Sequence, residues 1–176
     1  MDASYDRRFT FDGVLDESMV ATAMEQGVER FVVGAVIHRD RAALVVTRSA
    51  TDDFLPGVEE VPSGGVEDGE SLHDALDREL REEVGFGAEE IDSGFLARFD
   101  YVSGSGRPTR QFTVSVPLTD RQVRLSAEHS SFRWVDRSEL DATRATAETR
   151  GVLAEWFDWV TQLSGLRVPD RLRGRH

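Results

Sequence analysis

Residues 64–86 read GGVEDGESLHDALDRELREEVGF, and the rest of the chain is read outward from them. Ser71 stands where a helix N-cap is expected, with Asp74 three residues later as the acidic partner of a near capping box. Gly85 suits the C′ position that closes a helix. LHDALDRELREEV between them predicts one helix of three to four turns. At about 100° per residue, Leu72, Ala75, Leu76, Leu80 and Val84 share one broad apolar face, with His73 beside Leu80 and Val84. Asp74, Asp77, Arg78 and Arg81 share the other.

Glu79 and Glu83 do not join the polar side. They fall inside the apolar stripe, with Glu82 at its edge. A solvated acidic helix end accounts for Asp77 and Arg81 but fits Glu79 and Glu83 poorly. Carboxylates crowded at a core-facing edge repel one another and are costly to desolvate unless something neutralises them. A hard divalent cation does so, and Mg²⁺ is the usual choice for all-oxygen ligands. Pro62-Ser63-Gly64-Gly65, with Gly69 further on, reads as a tight glycine-rich turn opening into the helix. Such a turn lets backbone groups approach a ligand closely. A plain surface loop is the generic alternative. Glu70 and Arg78 read as a pair tying the turn to the helix, although Arg78 fits a solvated surface position equally well.

The spacing Gly64, five residues, Glu70, seven residues, Arg78-Glu79-Leu80-Arg81-Glu82-Glu83-Val84-Gly85-Phe86 fills every required position of the Nudix hydrolase signature. At average residue usage a chance match is on the order of one in 10⁸ per start position. The chain resembles a MutT-like Nudix hydrolase, most strongly over this box and more weakly over roughly residues 29–165. The resemblance implies an α/β fold, an α/β/α sandwich with a mixed sheet. It also implies hydrolysis of a nucleoside diphosphate linked to another group, with Mg²⁺ or Mn²⁺ as cofactor.

By the same resemblance Glu79, Glu82 and Glu83 are metal ligands, Arg78 orients Glu79, and Glu70 pairs with the box. Glu79 is also the first candidate for general base. A later loop often adds an acidic ligand or base in this family. Glu128, six residues before Trp134, is that candidate, and an ordinary loop charge fits it about as well. His129 is expected to be an exposed neighbour. Ser63 stands where many members have a glycine whose carbonyl faces the metal. Serine keeps the carbonyl but resists positive φ. Glu60 matches an acidic position common in the ADP-sugar branch, and Glu59 replaces the aromatic residue that often precedes it. The chain has no cysteine, which weighs against the isopentenyl-diphosphate isomerase relatives.

A length of 176 residues suits one domain with a full core. Residues 1–28 read as an extension with a short helix, 29–165 as the domain and 166–176 as a loose tail. The extension helix, Asp16 to Glu29, would turn Val20, Ala23 and Met24 inward. It either packs on the domain or covers a partner chain in a homodimer. The net charge of −12, with no basic stripe, argues against nucleic-acid polymers as partners. A small-molecule nucleotide remains compatible if metal ions screen its phosphates. The N-terminus lacks an apolar signal region and no window reaches membrane-spanning length, so no membrane partner and a cytoplasmic location are the default expectations.

Arg30 to His38 and Ala42 to Arg48 read as strands around a turn at Arg39-Asp40-Arg41. Glu59 to Val61 reads as a short strand. Ile91 to Val102 and Arg110 to Leu118 read as a hairpin. Val123 to Leu125 and Ser131 to Val135 are further strands. A final helix from about Ala145 to Gln162 should bury Val152, Leu153, Trp156, Phe157 and Val160. Phe54, Phe99, Tyr101 and Arg110 are candidates to line a base or ribose pocket, each equally suited to core or surface. The reading favours a nucleoside triphosphate pyrophosphohydrolase. An ADP-ribose or nucleotide-sugar diphosphatase and a non-catalytic nucleotide sensor are the alternatives.

Overall fold

β1 (Arg30–Arg39) and β2 (Ala42–Arg48) form the expected hairpin in the computed structural model, which describes residues 14–53 and 55–165. Asp40 and Arg41 close it with φ of 48° and 67°. This two-residue turn with both φ positive matches the right-handed twist of the strands it joins. β3 (Glu59–Glu60) and β4 (Ser63–Gly65) follow, then α2 (Leu72–Val84) on the far side of the box loop. β5 (Leu96–Val102), β6 (Pro108–Pro117) and β7 (His129–Val135) complete the strands. A short 3-10 helix (Arg137–Ala142) leads to α3 (Ala147–Gly165), and α1 (Ser18–Glu25) precedes them all.

The strands make one mixed sheet in the order β3-β2-β1-β6-β5, with β4 paired to β1 and β7 to β2. β1 runs parallel to β6 along nearly its whole length, and the other pairs are antiparallel. Alternating side chains therefore feed two cores, one on each face. Val33, Ala35, Ile37, Leu44 and Val46 pack with Leu72, Leu76 and Leu80 of α2 and with Val14 and Leu15. Val36, Ala43, Val45 and Ala97 pack with Leu153, Trp156 and Phe157 of α3. The result is the α/β/α sandwich that the resemblance implies. Leu72, Leu76 and Leu80 are fully buried. Each contributes about 1.5–3 kcal/mol, so packing holds α2 in place more than intrinsic propensity does.

Several boundaries differ from the sequence reading. Ser63–Gly65 is a strand where a turn was expected, because Val32, Val33 and Gly34 of β1 supply its backbone partners. Pairing of β5 begins only at Leu96, since the preceding turn carries Gly94 at φ 98° and aims Asp92 inward. Val123–Leu125 is not a strand. The Arg124 amide donates to the Val84 carbonyl and that of Ser126 to Glu83, so the segment caps the open end of α2. α1 is shorter than expected, and Met24 is 61 % exposed while Ala23 is buried. Val20 turns inward as expected, Met19 does so in place of Met24, and the Glu17 carboxylate accepts the Leu72 amide at 2.9 Å. The described part of the N-terminal extension thus packs on α2. Val160 is only partly buried. Residues 166–176, expected as a loose tail, lie outside the described residues. Among the described residues no helix is long and apolar enough to cross a membrane.

A polar chain joins the α3 face to the sheet. Trp156 Nε1 donates to Ser115 Oγ at 2.9 Å, and Ser115 Oγ donates to Asp92 Oδ2 at 2.6 Å. His38 Nε2 lies 2.6 Å from the same oxygen. Burial pushes the Asp92 carboxyl upward, but the hydrogen bonds from His38 and Ser115, with the His38 charge, hold it below the usual Asp range. Asp92→Asn should lower stability by about 1–3 kcal/mol at pH 7. Because the folded-state value is depressed, the Asp92 contribution is complete above the unfolded value of about 3.9 and fades as pH falls through the folded one. Urea melts of both proteins at pH 7 and pH 3 should show the gap narrowing in acid; an equal gap at both values would contradict this account.

Candidate active site

The box helix starts and stops where its sequence directs. Ser71 Oγ accepts the Asp74 amide at 3.0 Å and donates to the Asp74 carboxylate at 2.8 Å. Gly85 enters the left-handed region at φ 86° and sends its amide to the Leu80 carbonyl. Between these caps Leu72, Ala75, Leu76, Leu80 and Val84 are buried, and Glu83 is buried with them at 7 % exposure. Glu79 is largely covered, whereas the Glu82 side chain is 61 % exposed at the rim.

Arg78 ties three segments together. Its Nε and Nη2 donate to the two Glu70 oxygens at 2.9 and 2.8 Å, Nη1 donates to Glu79 Oε1 at 2.8 Å, and Nη2 also reaches the Gly65 carbonyl at 2.9 Å. The bonds to Glu70 and Glu79 raise the Arg78 pKa above its ordinary value. Only the planar fork of a guanidinium serves all these acceptors at once. Burial raises the Glu79 pKa, Arg78 opposes that, and the charges of Glu82 and Glu128 reinforce it.

The Glu79 carboxyl lies directly against the Cα of Gly64, where any Cβ would collide with it. A side chain at Gly64 would therefore force the flexible end of Glu79 out of its place, and no positive φ calls for glycine there. Ser63 next to it has no positive φ, so the serine substitution leaves the backbone in its ordinary extended form. The Ser63 amide donates to Glu83 Oε2 at 3.0 Å. Burial, then the charges of Glu60, Glu79 and Glu128, push the Glu83 pKa up to about 8 against that hydrogen bond.

Glu60 is held by Arg48 Nη1 at 2.9 Å and lies 3.2 Å from His129 Nε2. His129 is buried, not exposed as expected, because β7 pairs with β2 and carries it inward beside Glu60. Glu128 is exposed just before β7, its carbonyl accepting the Ser49 amide at 2.8 Å. Its charge reaches both Glu79 and Glu83.

A cavity of about 610 Å³ opens beside this cluster on the α3 face of the sheet. Ser63, Gly64 and Gly65 form one wall, Thr146 and Thr149 at the start of α3 another, and Phe99 and Tyr101 lie across from the box. Arg30 also lines it, with Nη2 close to Gly65. Among the described residues the Arg30 guanidinium makes no hydrogen bond or ion pair. Arg110 is elsewhere. Its guanidinium grips Asp100 at 2.6 and 2.7 Å and Gln26 at 2.8 Å, on the opposite sheet face from its neighbour Gln111. Phe54 lies outside the described residues. The sequence reading missed Arg30 and Gln111 as cavity residues; period-two alternation along β1 and β6 is the signal that marks them.

The donor set suits a hard cation, with carboxylates converging from α2, β3 and the loop before β7, and one of them buried. Among the described residues no three acidic or histidine side chains close on one point at ligating distance. Glu79 is turned to Arg78 and Glu83 to the Ser63 amide.

A family model described as NUDIX domain matches residues 28–157. Nucleoside triphosphatase NudI of Escherichia coli K12 is 26% identical over 142 residues, covering 71% of this chain and 99% of its own. The same protein from strain O17:K52:H18 is 29% identical with the same coverage. The solution structure of the E. coli ORF135 protein matches with TM-score 0.62 at 28% identity, covering 83% of this chain and 98% of that one. A C. elegans Ap4A hydrolase, solved as a binary complex, shares the fold with TM-score 0.66 at 22% identity, over 76% of this chain and 99% of its own.

Gly64→Ala should drive the Glu79 carboxylate off its seat and break its bond to Arg78. The expected loss of stability is about 1–3 kcal/mol, the usual cost of overpacking. Thermal melting of Gly64→Ala beside Gly69→Ala checks this. An alanine at Gly69 would be strained by the φ of 80° but would meet open space, so restoration of stability by adding Glu79→Ala to Gly64→Ala alone identifies the collision.

Proposed function

The chain belongs to the Nudix family of hydrolases, enzymes of phosphoric anhydride bonds, and we propose that it is a divalent-metal-dependent nucleoside triphosphate pyrophosphohydrolase. The observation that carries the reading is the meeting of two features at Ser63–Gly65: the carboxylate cluster on one side and a nucleoside-sized cavity with Arg30 at its edge on the other. The likeness to proteins named nucleoside triphosphatase supports the same substrate class.

Water attacks a phosphorus of the triphosphate, one anhydride P–O bond breaks, and nucleoside monophosphate and pyrophosphate leave. Glu79, Glu82 and Glu83 with the Ser63 carbonyl would hold Mg²⁺ or Mn²⁺, which when bound would neutralise phosphate charge and lower the pKa of the water. Arg78 keeps Glu79 aimed, and Glu70 keeps Arg78 in register. Glu79 takes the proton from water, with Glu128 as the second candidate for that role. Arg30 receives the polyphosphate as the organic half enters the cavity.

A panel of nucleoside triphosphates, ADP-ribose, nucleotide sugars and dinucleoside polyphosphates, each with Mg²⁺ or Mn²⁺, tests the reading by chromatography of the nucleotide products. Fastest turnover of a triphosphate supports it. Fastest turnover of ADP-ribose or a nucleotide sugar would replace it with a diphosphatase, and tight binding without turnover would replace it with a sensor. Glu82→Gln should cut kcat at least about 100-fold while leaving the melting temperature unchanged or higher, since it removes a charge from a repelling cluster. Wild-type turnover in that variant would sink the metal assignment. Arg30→Ala should raise KM for the triphosphate about 10–100-fold, the range for a charge-assisted hydrogen bond, with a smaller change in kcat.

A further inference from the structure

One row of residues crosses the cavity floor. The strand registers place Gly65, Val32, Gln111 and Phe99 opposite one another on β4, β1, β6 and β5. The next row on the same face holds Arg30, Thr109 and Tyr101. With strands about 4.8 Å apart, Gln111 stands roughly 10 Å from Gly65 and Phe99 one strand beyond. That is the order in which a nucleotide anchored by its phosphates at the box extends ribose and then base.

Gln111 lines the cavity at 8 % exposure, between apolar Val32 and the Phe99 ring. Its Nε2 donates to Thr113 Oγ1 at 3.2 Å. Among the described residues Oε1 accepts no hydrogen bond. Oε1 is not a fully enclosed atom, so it faces cavity space where a ligand can reach it. Phe99 and Tyr101 stand beside it as an aromatic pair, ring centres 5.8 Å apart, and offer a surface for a base.

We propose that Gln111 is a specificity-determining residue that reads the nucleobase, its Oε1 accepting a hydrogen bond from an exocyclic amino group. The inference rests on the nucleotide reading above and adds the class of base: an amino-bearing one in preference to its oxo counterpart. An oxo oxygen in the same place would set acceptor against acceptor.

AMP and IMP differ at this group, as do CMP and UMP. All four are monophosphates, products of the proposed reaction type, so their binding can be followed by calorimetry with no turnover. Wild-type protein should bind the amino member of the preferred pair about tenfold more tightly than the oxo member. Gln111→Leu should bring the two within about twofold by weakening the amino member. Gln111→Glu, which keeps the acceptor, should retain the preference and serves if the leucine variant does not fold. Equal binding within both pairs, preference for the oxo member, no binding of any monophosphate, or an unchanged ratio in Gln111→Leu overturns the inference. Absence of triphosphate hydrolysis with the amino preference intact would overturn the proposed activity instead.

Discussion

The Arg78 guanidinium joins the Glu70 carboxylate, the Gly65 carbonyl and the Glu79 carboxylate, three groups from the loop, the strand and the helix of one short segment. Each bond constrains the other two, because the guanidinium is planar and its donors are fixed in direction. The helix is thereby set against β4, and β4 against β1. Gly64 completes the arrangement by leaving room for the Glu79 carboxyl on its own Cα. Where the acidic cluster sits relative to the cavity follows from this single junction.

The cluster itself opposes stability. Glu83 is buried among the charges of Glu60, Glu79 and Glu128, which costs on the order of a few kcal/mol when it is ionised. The fold tolerates this because Leu72, Leu76 and Leu80 on the same helix are fully buried, each contributing about 1.5–3 kcal/mol. Apolar packing anchors α2, and the unfavourable charges gather toward its C-terminal half, beside Ser63 and Gly64. Such local conflict between burial and charge is common at functional sites.

Much of this was legible in residues 64–86. The period of the apolar residues, the Ser71 and Gly85 caps, and the intrusion of Glu79 and Glu83 into the apolar stripe all reappear in the structure. The long strands β1, β2 and β6 were legible from their β-branched runs, and the hairpin turn from its length. Less was visible where pairing depends on a distant partner. Ser63-Gly64-Gly65 has little strand character and becomes a strand only because β1 offers its edge. Val123-Arg124-Leu125 has a strand-like pattern, yet its amides go to the carbonyls that end α2. His129 reads as a loop neighbour and is buried because β7 lies beside β2.

The sequence by itself determined the family, the box helix with its caps, and the acidic cluster on that helix, since these depend on residue types at short spacings. Tertiary structure decided what meets the box. Parallel pairing of β1 with β6 and antiparallel pairing with β5 put Arg30, Gln111, Phe99 and Tyr101 on one sheet face, and the same alternation sends Arg110 to the other face to hold Asp100. No local spacing encodes that choice. It arises because the side on which a strand residue points acquires meaning only when its neighbours in the sheet, and the helix covering it, are in place.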